Sequence, residues 1–204
     1  IFVYTVVPAV CYKGLPEYIR ISLEQAIYTQ PDCDVIMASN YADCALIANT
    51  VASIPGLIQI DTTTIESHTT KLFANKSASV FASDYSNELW MTSALRFFIL
   101  EDIMRTKNYK EMLHIEADNT LYGHISTIVP ILRESYPLAA TPLTANMAMV
   151  TASVFWVSTQ EALQHFNSYM MDLIVNNNYL YDKFLIWLRR YACCKKGGIN
   201  PDSN

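Results

Sequence analysis

Glycine is scarce in this chain: five residues in 204, at positions 14, 56, 123, 197 and 198. That spacing holds neither the GxGxxG fingerprint nor the GxxxxGK[ST] phosphate loop, so no glycine-built cradle of backbone amides is available for a nucleotide's phosphates. Charge is thin as well, at 16% of residues, with 14 basic against 19 acidic side chains and a formal net charge of -5. The only basic clusters are the pairs Arg189-Arg190 and Lys195-Lys196. Nucleic acid and anionic membrane are therefore poor primary partners. No run approaches the roughly 18 to 20 apolar residues that a membrane span needs, and the first residues lack a basic signal-peptide region, so a soluble, cytoplasmic protein is expected. Cysteines 11, 33, 44, 193 and 194 show neither zinc spacing nor a disulfide framework. They read as reduced thiols, with adjacent Cys193-Cys194 an inert pair rather than a redox or metal site.

What the chain has in quantity is apolar surface. Hydrophobic residues make up 51%, which excludes a disordered tail or a coiled coil and indicates a packed core. One domain is expected over residues 1–196. Residues 197–204 close a Gly-, Pro-, Asn- and Ser-rich end, "KKGGINPDSN", that reads as a linker or tail leading to further domains. "IFVYTVV", closed by Pro8, predicts a first strand. "LPEYIRISLEQAIYTQ" predicts a helix starting near Pro16 and ending before Pro31, with Leu15, Ile19, Leu23, Ala26 and Ile27 on one stripe. "CDVIMAS", "ADCALIANTVAS" stopped by Pro55-Gly56, and "LIQIDT" continue as strand, helix and strand, the signature of a parallel sheet with crossover helices. A long helix is expected from Ser86 to about Asn108. "EMLHIEAD" returns to the sheet, "ISTIVPILRESY" is helical despite Pro130, and 137–158 holds two more strands. Helices at 159–175 and 180–193 follow.

The segment "EMLHIEADNTLYG" carries the chemistry. If the strand runs on to Asp118, alternation puts His114, Glu116 and Asp118 on one side. They would emerge at the carboxyl end of a strand, where open α/β sheets bind ligands. Two like charges so close call for solvent or a cation. The hard oxygen donors suit Mg2+ or Mn2+. A solvated Asx turn at Asp118-Asn119 is the alternative at this point.

The order of these elements, the long "LW....LRFFILEDIM" helix and the apolar strand ending "HIEADNTLYG" together resemble the GT-A fold nucleotide-sugar glycosyltransferases and their acid-x-acid metal motif. Within them the segment is similar to glycosyltransferase domains encoded by chlorella viruses and some bacterial relatives. The resemblance implies a GT-A, Rossmann-like α/β fold with a mixed, mostly parallel central sheet of about six strands flanked by helices. It implies a Mn2+- or Mg2+-dependent hexosyltransferase using a UDP-sugar donor and a glycan acceptor, located in the host cytoplasm if viral. Asp118 is then the metal ligand, and Glu116 binds the metal or the donor ribose, with Ala117 between them against the donor. Thr5, Val6, Val7 and Tyr12 would hold base and ribose, and Ala152 and Ser153 would line the sugar pocket. Arg96 would contact donor sugar or phosphate; its alternative is a salt bridge to Glu101 or Asp102. Asp182 would stand near the anomeric carbon, with Lys183 toward phosphate. Retention is implied by the family, while Asp182 as a general base would suit inversion. His114 is either a further ligand or a packed core histidine. Two other readings remain: a haloacid-dehalogenase-type phosphatase, since "EADNT" approaches D-x-D-x-T, and a non-catalytic glycan-binding module.

Overall fold

The computed structural model describes residues 2–4, 15–39, 45–81, 87–142 and 150–176. Strands β1 (Phe2–Tyr4), β2 (Val35–Ser39), β3 (Leu57–Asp61), β4 (Met112–Ile115), β5 (Leu138–Pro142) and β6 (Val150–Val157) form one sheet in the order β3-β2-β1-β4-β6-β5. Pairings within β3-β2-β1-β4 are parallel, whereas β4-β6 and β6-β5 are antiparallel. The mixed α/β character agrees with expectation, and the parallel part is confined to four strands. The expected first strand is seen over Phe2–Tyr4. Its continuation with Thr5, Val6, Val7 and Tyr12 lies outside the described residues, as do the helix expected at 180–193 and its Asp182 and Lys183.

Side-chain alternation sends each strand's residues to opposite faces. On one face Val35, Met37, Leu113, Ile115 and Trp156 pack with Ile19, Leu23 and Ala26 of α1 (Glu17–Thr29) and with Val51 of α2 (Ala45–Ala52). The stripe expected on α1 is the stripe it buries: Leu15 and Ile27 lie at its margin. On the other face Ile36, Ala38, Ile60, Met112, Phe155 and Val157 meet Phe97, Leu100, Ile103 and Met104 of α4 (Asn87–Lys107). A helix that the sequence pattern passed over, α3 (His68–Phe81), covers α4 from outside, with Phe73 stacked on Phe98 at 4.1 Å between ring centroids. Buried toward the sheet and toward α3 at once, α4 is apolar on more than one side.

Local chemistry explains the ends. Asn108 stops α4 with a left-handed φ of 57°, and Tyr109 N donates to Met104 O at 3.0 Å, a cap that turns the chain into β4. Gly56, at φ 81°, makes the turn between α2 and β3. Pro130 does not interrupt its helix; it sits in the first turn of α5 (Val129–Ser135), where its missing N–H costs no intrahelical bond. Thr159 caps α6 (Gln160–Met171) by accepting from Ala162 N, and a π-helical turn follows at Asp172–Asn176. Among the described residues no helix is long and apolar enough to cross a membrane. Cys33 is a free, half-buried thiol.

Asp102 ties α4 to the start of α3. The residue is 2% exposed, and its Oδ2 accepts from Ser67 N at 2.9 Å and Thr70 Oγ1 at 2.5 Å, while Oδ1 accepts from Arg105. Asp102→Ala leaves those donors without a partner and is expected to cost about 3 kcal/mol, or roughly 10 °C in Tm, in thermal and urea unfolding. A second check concerns Tyr109, whose hydroxyl donates to Asp34 at 2.7 Å. Burial and then the Asp34 carboxylate push its pKa up to about 12. The folded chain thus keeps this proton longer than the unfolded one. Its contribution to stability is complete below about pH 10 and disappears as pH rises toward 12. Tyr109→Phe should flatten the fall in stability over that window in equilibrium unfolding at graded alkaline pH.

Candidate functional site

The parallel strands end along one edge, where Ser39, Asp61 and the residues after Ile115 gather. Strand β4 stops at Ile115, so Glu116 and Asp118 are not strand residues as the alternation argument assumed. Glu116 opens a turn in which Asn119 N donates to Glu116 O at 3.0 Å. Glu116 N still donates to Ser153 O of β6 at 2.8 Å, after which the chain folds back into the turn. Alternation persists for Glu116, which meets the α4 side, and for Ala117, which packs against the α1 side. Asp118 is exposed at the turn, and its carboxylate makes no hydrogen bond to a described residue.

Beneath this turn lies a buried cation. Arg96 of α4 is 6% exposed; its Nη1 donates to Glu116 Oε1 at 2.7 Å and to His114 Nε2 at 3.2 Å. A guanidinium cannot accept, so His114 Nε2 holds a lone pair and the ring is neutral. His114 is 0% exposed, a packed core histidine in contact with Arg96. Arg96 Nη2 reaches Ser93 Oγ at 3.4 Å, and Nε has no partner. The expected alternative for Arg96, an ion pair with Glu101 or Asp102, is not formed. Five and six residues further along a helix lie about 140° and 240° around the axis, away from the sheet edge that Arg96 faces. Asp102 pairs with Arg105 instead, and Glu101 accepts from Asn167.

The turn is pinned from both sides. Ser22 Oγ of α1 donates to Asn119 O, and Asn119 Nδ2 reaches Ser153 O at 3.4 Å. Ser153 thus acts through its carbonyl, while its hydroxyl bonds to Thr151 at 3.0 Å. Ala152 lies in β6 beside it. Further on, the Gln30 amide clamps the following loop by donating to Gly123 O at 2.7 Å and accepting from Ile125 N at 2.9 Å. None of these backbone bonds had a sequence signal. Asp61 did have one, in "DTTT": its carboxylate accepts from Thr63 N and caps the 3-10 turn after β3 on the same edge.

A cavity of about 520 Å3 lies at the opposite edge, where β2 and β4 begin, lined by Gln30, Asp34, Tyr109, Arg133 and Trp156 among others. It is remote in the fold from the acid pair and shares none of its side chains.

The geometry defines a mixed α/β sheet covered by helices on both faces, with an exposed carboxylate held at the carboxyl edge. Chains of known structure resemble this fold; one is mouse xyloside xylosyltransferase 1, in the crystal structure of its apo form. The likeness covers 89% of this chain and 73% of that one, with a TM-score of 0.54 at 10% identity. It is a likeness of fold. No family model matches the sequence, and no curated protein does.

The ion pair has a measurable consequence. Glu116→Gln leaves the buried Arg96 charge without its counterion and is expected to cost about 3 kcal/mol. Arg96→Met combined with Glu116→Gln should recover part of that loss in a double-mutant cycle read by urea unfolding.

Proposed function

We propose that the chain is a GT-A-type glycosyltransferase that moves a hexose from a uridine diphosphate sugar to a hydroxyl of a glycan or glycoprotein. The observation that carries this reading is the pinned turn bearing exposed Asp118 at the carboxyl edge of the sheet, in a fold shared with a xylosyltransferase. Ligands of open α/β sheets bind at that edge.

A divalent ion suits the donors present. Among the described residues no three His, Cys, Asp or Glu side chains gather as a metal cluster. Asp118 and Glu116 would hold such an ion, and their hard carboxylate oxygens suit Mg2+ or Mn2+. When bound, such an ion supplies Lewis-acid stabilisation of the departing diphosphate. The chain's own residues do the positioning. Arg96 holds one oxygen of Glu116 and offsets its charge, which lowers the repulsion that two neighbouring carboxylates would feel. Ser22 and Ser153 fix the turn so that Asp118 faces outward. With a side chain only 8% exposed, Arg96 acts on a ligand through Glu116 and is a positioning residue in this reading.

Calorimetry with uridine, guanosine and cytidine diphosphates, with and without Mn2+, tests the proposal. Uridine diphosphate should bind only with the metal, and Asp118→Ala should weaken it by more than about 100-fold and abolish transfer. Full transferase activity in that variant would sink the proposal. Phosphate release from a monoester, or glycan binding indifferent to nucleotide and metal, would replace it with the phosphatase or binding-module reading.

A further inference from the structure

Four large apolar side chains stand exposed on α1 and on the loop that follows the acid-bearing turn: Tyr18 at 55%, Ile21 at 51%, Tyr28 at 82% and Tyr122 at 84%. Hydrogen bonds lace that loop to the helix. Ser22 donates to Asn119 O, Thr29 Oγ1 to Leu121 O at 3.3 Å, and the Gln30 amide at the helix end to Gly123 O. The loop therefore runs beside α1 in the same direction, and Leu121 packs on the core that α1 covers. Ser22 and Thr29, seven residues apart, lie on one row of the helix. From that row the buried Ile19, Leu23 and Ala26 follow within about 100° in one rotational sense. In the other sense Tyr18, Gln25, Ile21 and Tyr28 follow at about 40° to 120°, and the exposed Glu17, Arg20 and Glu24 only beyond about 140°. The solvent side of α1 is thus divided. One flank is charged and closed by the Arg20–Glu24 ion pair, and the flank against the loop is aromatic.

Apolar side chains scattered singly over a surface need no explanation, but a contiguous strip rimmed by polar residues marks an interaction face. This strip is about 15 Å long from Tyr18 to Tyr28. Tyr28 and Tyr122 are the chain neighbours of the bonded pair Thr29 and Leu121, so the loop adds its tyrosine beside the far end. The near end lies at Ser22, beside the turn that carries Asp118. The strip's chemistry selects its occupant. It holds no charge, each tyrosine offers a flat apolar ring with a hydroxyl at its tip, and the half-buried Gln25 amide lies in its middle. A neutral sugar chain has the matching surface, with C–H faces for the rings and hydroxyls for the amide and phenols. We propose that this strip docks an extended, uncharged oligosaccharide as the acceptor of the transfer, an assignment that rests on the glycosyltransferase reading above. Tyr18 and Ile21 hold the part beside the acid-bearing turn, and Tyr28 and Tyr122 hold the part further along. Binding energy from these remote sugars favours long acceptors over short ones.

A printed array of neutral oligosaccharides, probed with the labelled full chain without nucleotide or metal, should show binding to chains of several sugars and none to monosaccharides. In calorimetry with the strongest array member, Tyr28→Ala and Tyr122→Ala should each weaken binding about tenfold. Tyr28→Phe should keep most of it, and Glu24→Gln on the charged flank should change nothing. Because both tyrosines are more than four-fifths exposed, the alanine variants should stay within about 2 °C of wild type in Tm, which separates lost binding from lost folding. Uridine diphosphate with Mn2+ is titrated into the same double variant, so the two proposals fail separately. Metal-dependent nucleotide binding with no array member bound above the double variant's level would overturn the strip alone. Oligosaccharide binding in a protein that binds no nucleotide would overturn its role as an acceptor track. Self-association, or binding to neutral phosphatidylcholine vesicles, that Tyr28→Ala abolishes would give the strip to a second copy or a lipid surface and overturn the proposal too.

Discussion

A guanidinium held out of water at the end of a strand is the constraint on which the rest of this structure depends. Taking Arg96 from solvent costs several kcal/mol, and the cost is met only if the negative charge of Glu116 and the lone pair of His114 stand where Nη1 points. That requirement couples three features that apolar packing alone would leave adjustable. The rotation of α4 about its axis, the register of β4 beside it and the direction in which the chain leaves β4 must all suit one cation. Apolar contacts such as Phe97 with Phe155, whose rings lie 4.9 Å apart, supply the bulk of the attraction but little of the direction.

The antiparallel strand completes the arrangement. Because β6 runs against β4, with Ile115 opposite Val154, the early residues of β6 lie beside the end of β4. The Ser153 carbonyl therefore meets Glu116 N and the Asn119 amide. A parallel neighbour would bring its own end to this edge and would join the turn with a different set of slanted bonds. From the other layer, Ser22 of α1 reaches the same turn. An exposed carboxylate on a turn is ordinarily loose. Here the backbone beneath Asp118 is bonded to a strand and a helix, which is how a fold can hold a charged group outward without burying it.

How much of this was readable beforehand differs by element. The α1 stripe, the buried strands β2 and β4 and the Pro55-Gly56 stop are local patterns of period or turn chemistry, and they stand in the structure as the residues suggest; the two acids fall in the turn after β4 and not on the strand itself. The helix α3 was missed because "HTTKLFANKSASVF" carries few large apolar residues. Its inward side uses Phe73 with small Thr70 and Ser77, so no stripe stands out. The segment around Pro130 reads as one helix running through the proline, whereas α5 begins there, because a proline is tolerated in the first turn and not further in.

By itself the sequence determined where apolar segments alternate with turns, that no glycine loop can cradle phosphate, and that two acids follow a buried strand. Those properties are set by neighbours in the chain. Only the tertiary structure decided that Glu116 belongs to Arg96 while Asp118 faces solvent, and that Gln30 and Ser22 hold the loop. Such partners are separated by 20 to nearly 100 residues along the chain. Their pairing follows from strand order and helix rotation, which no local pattern encodes.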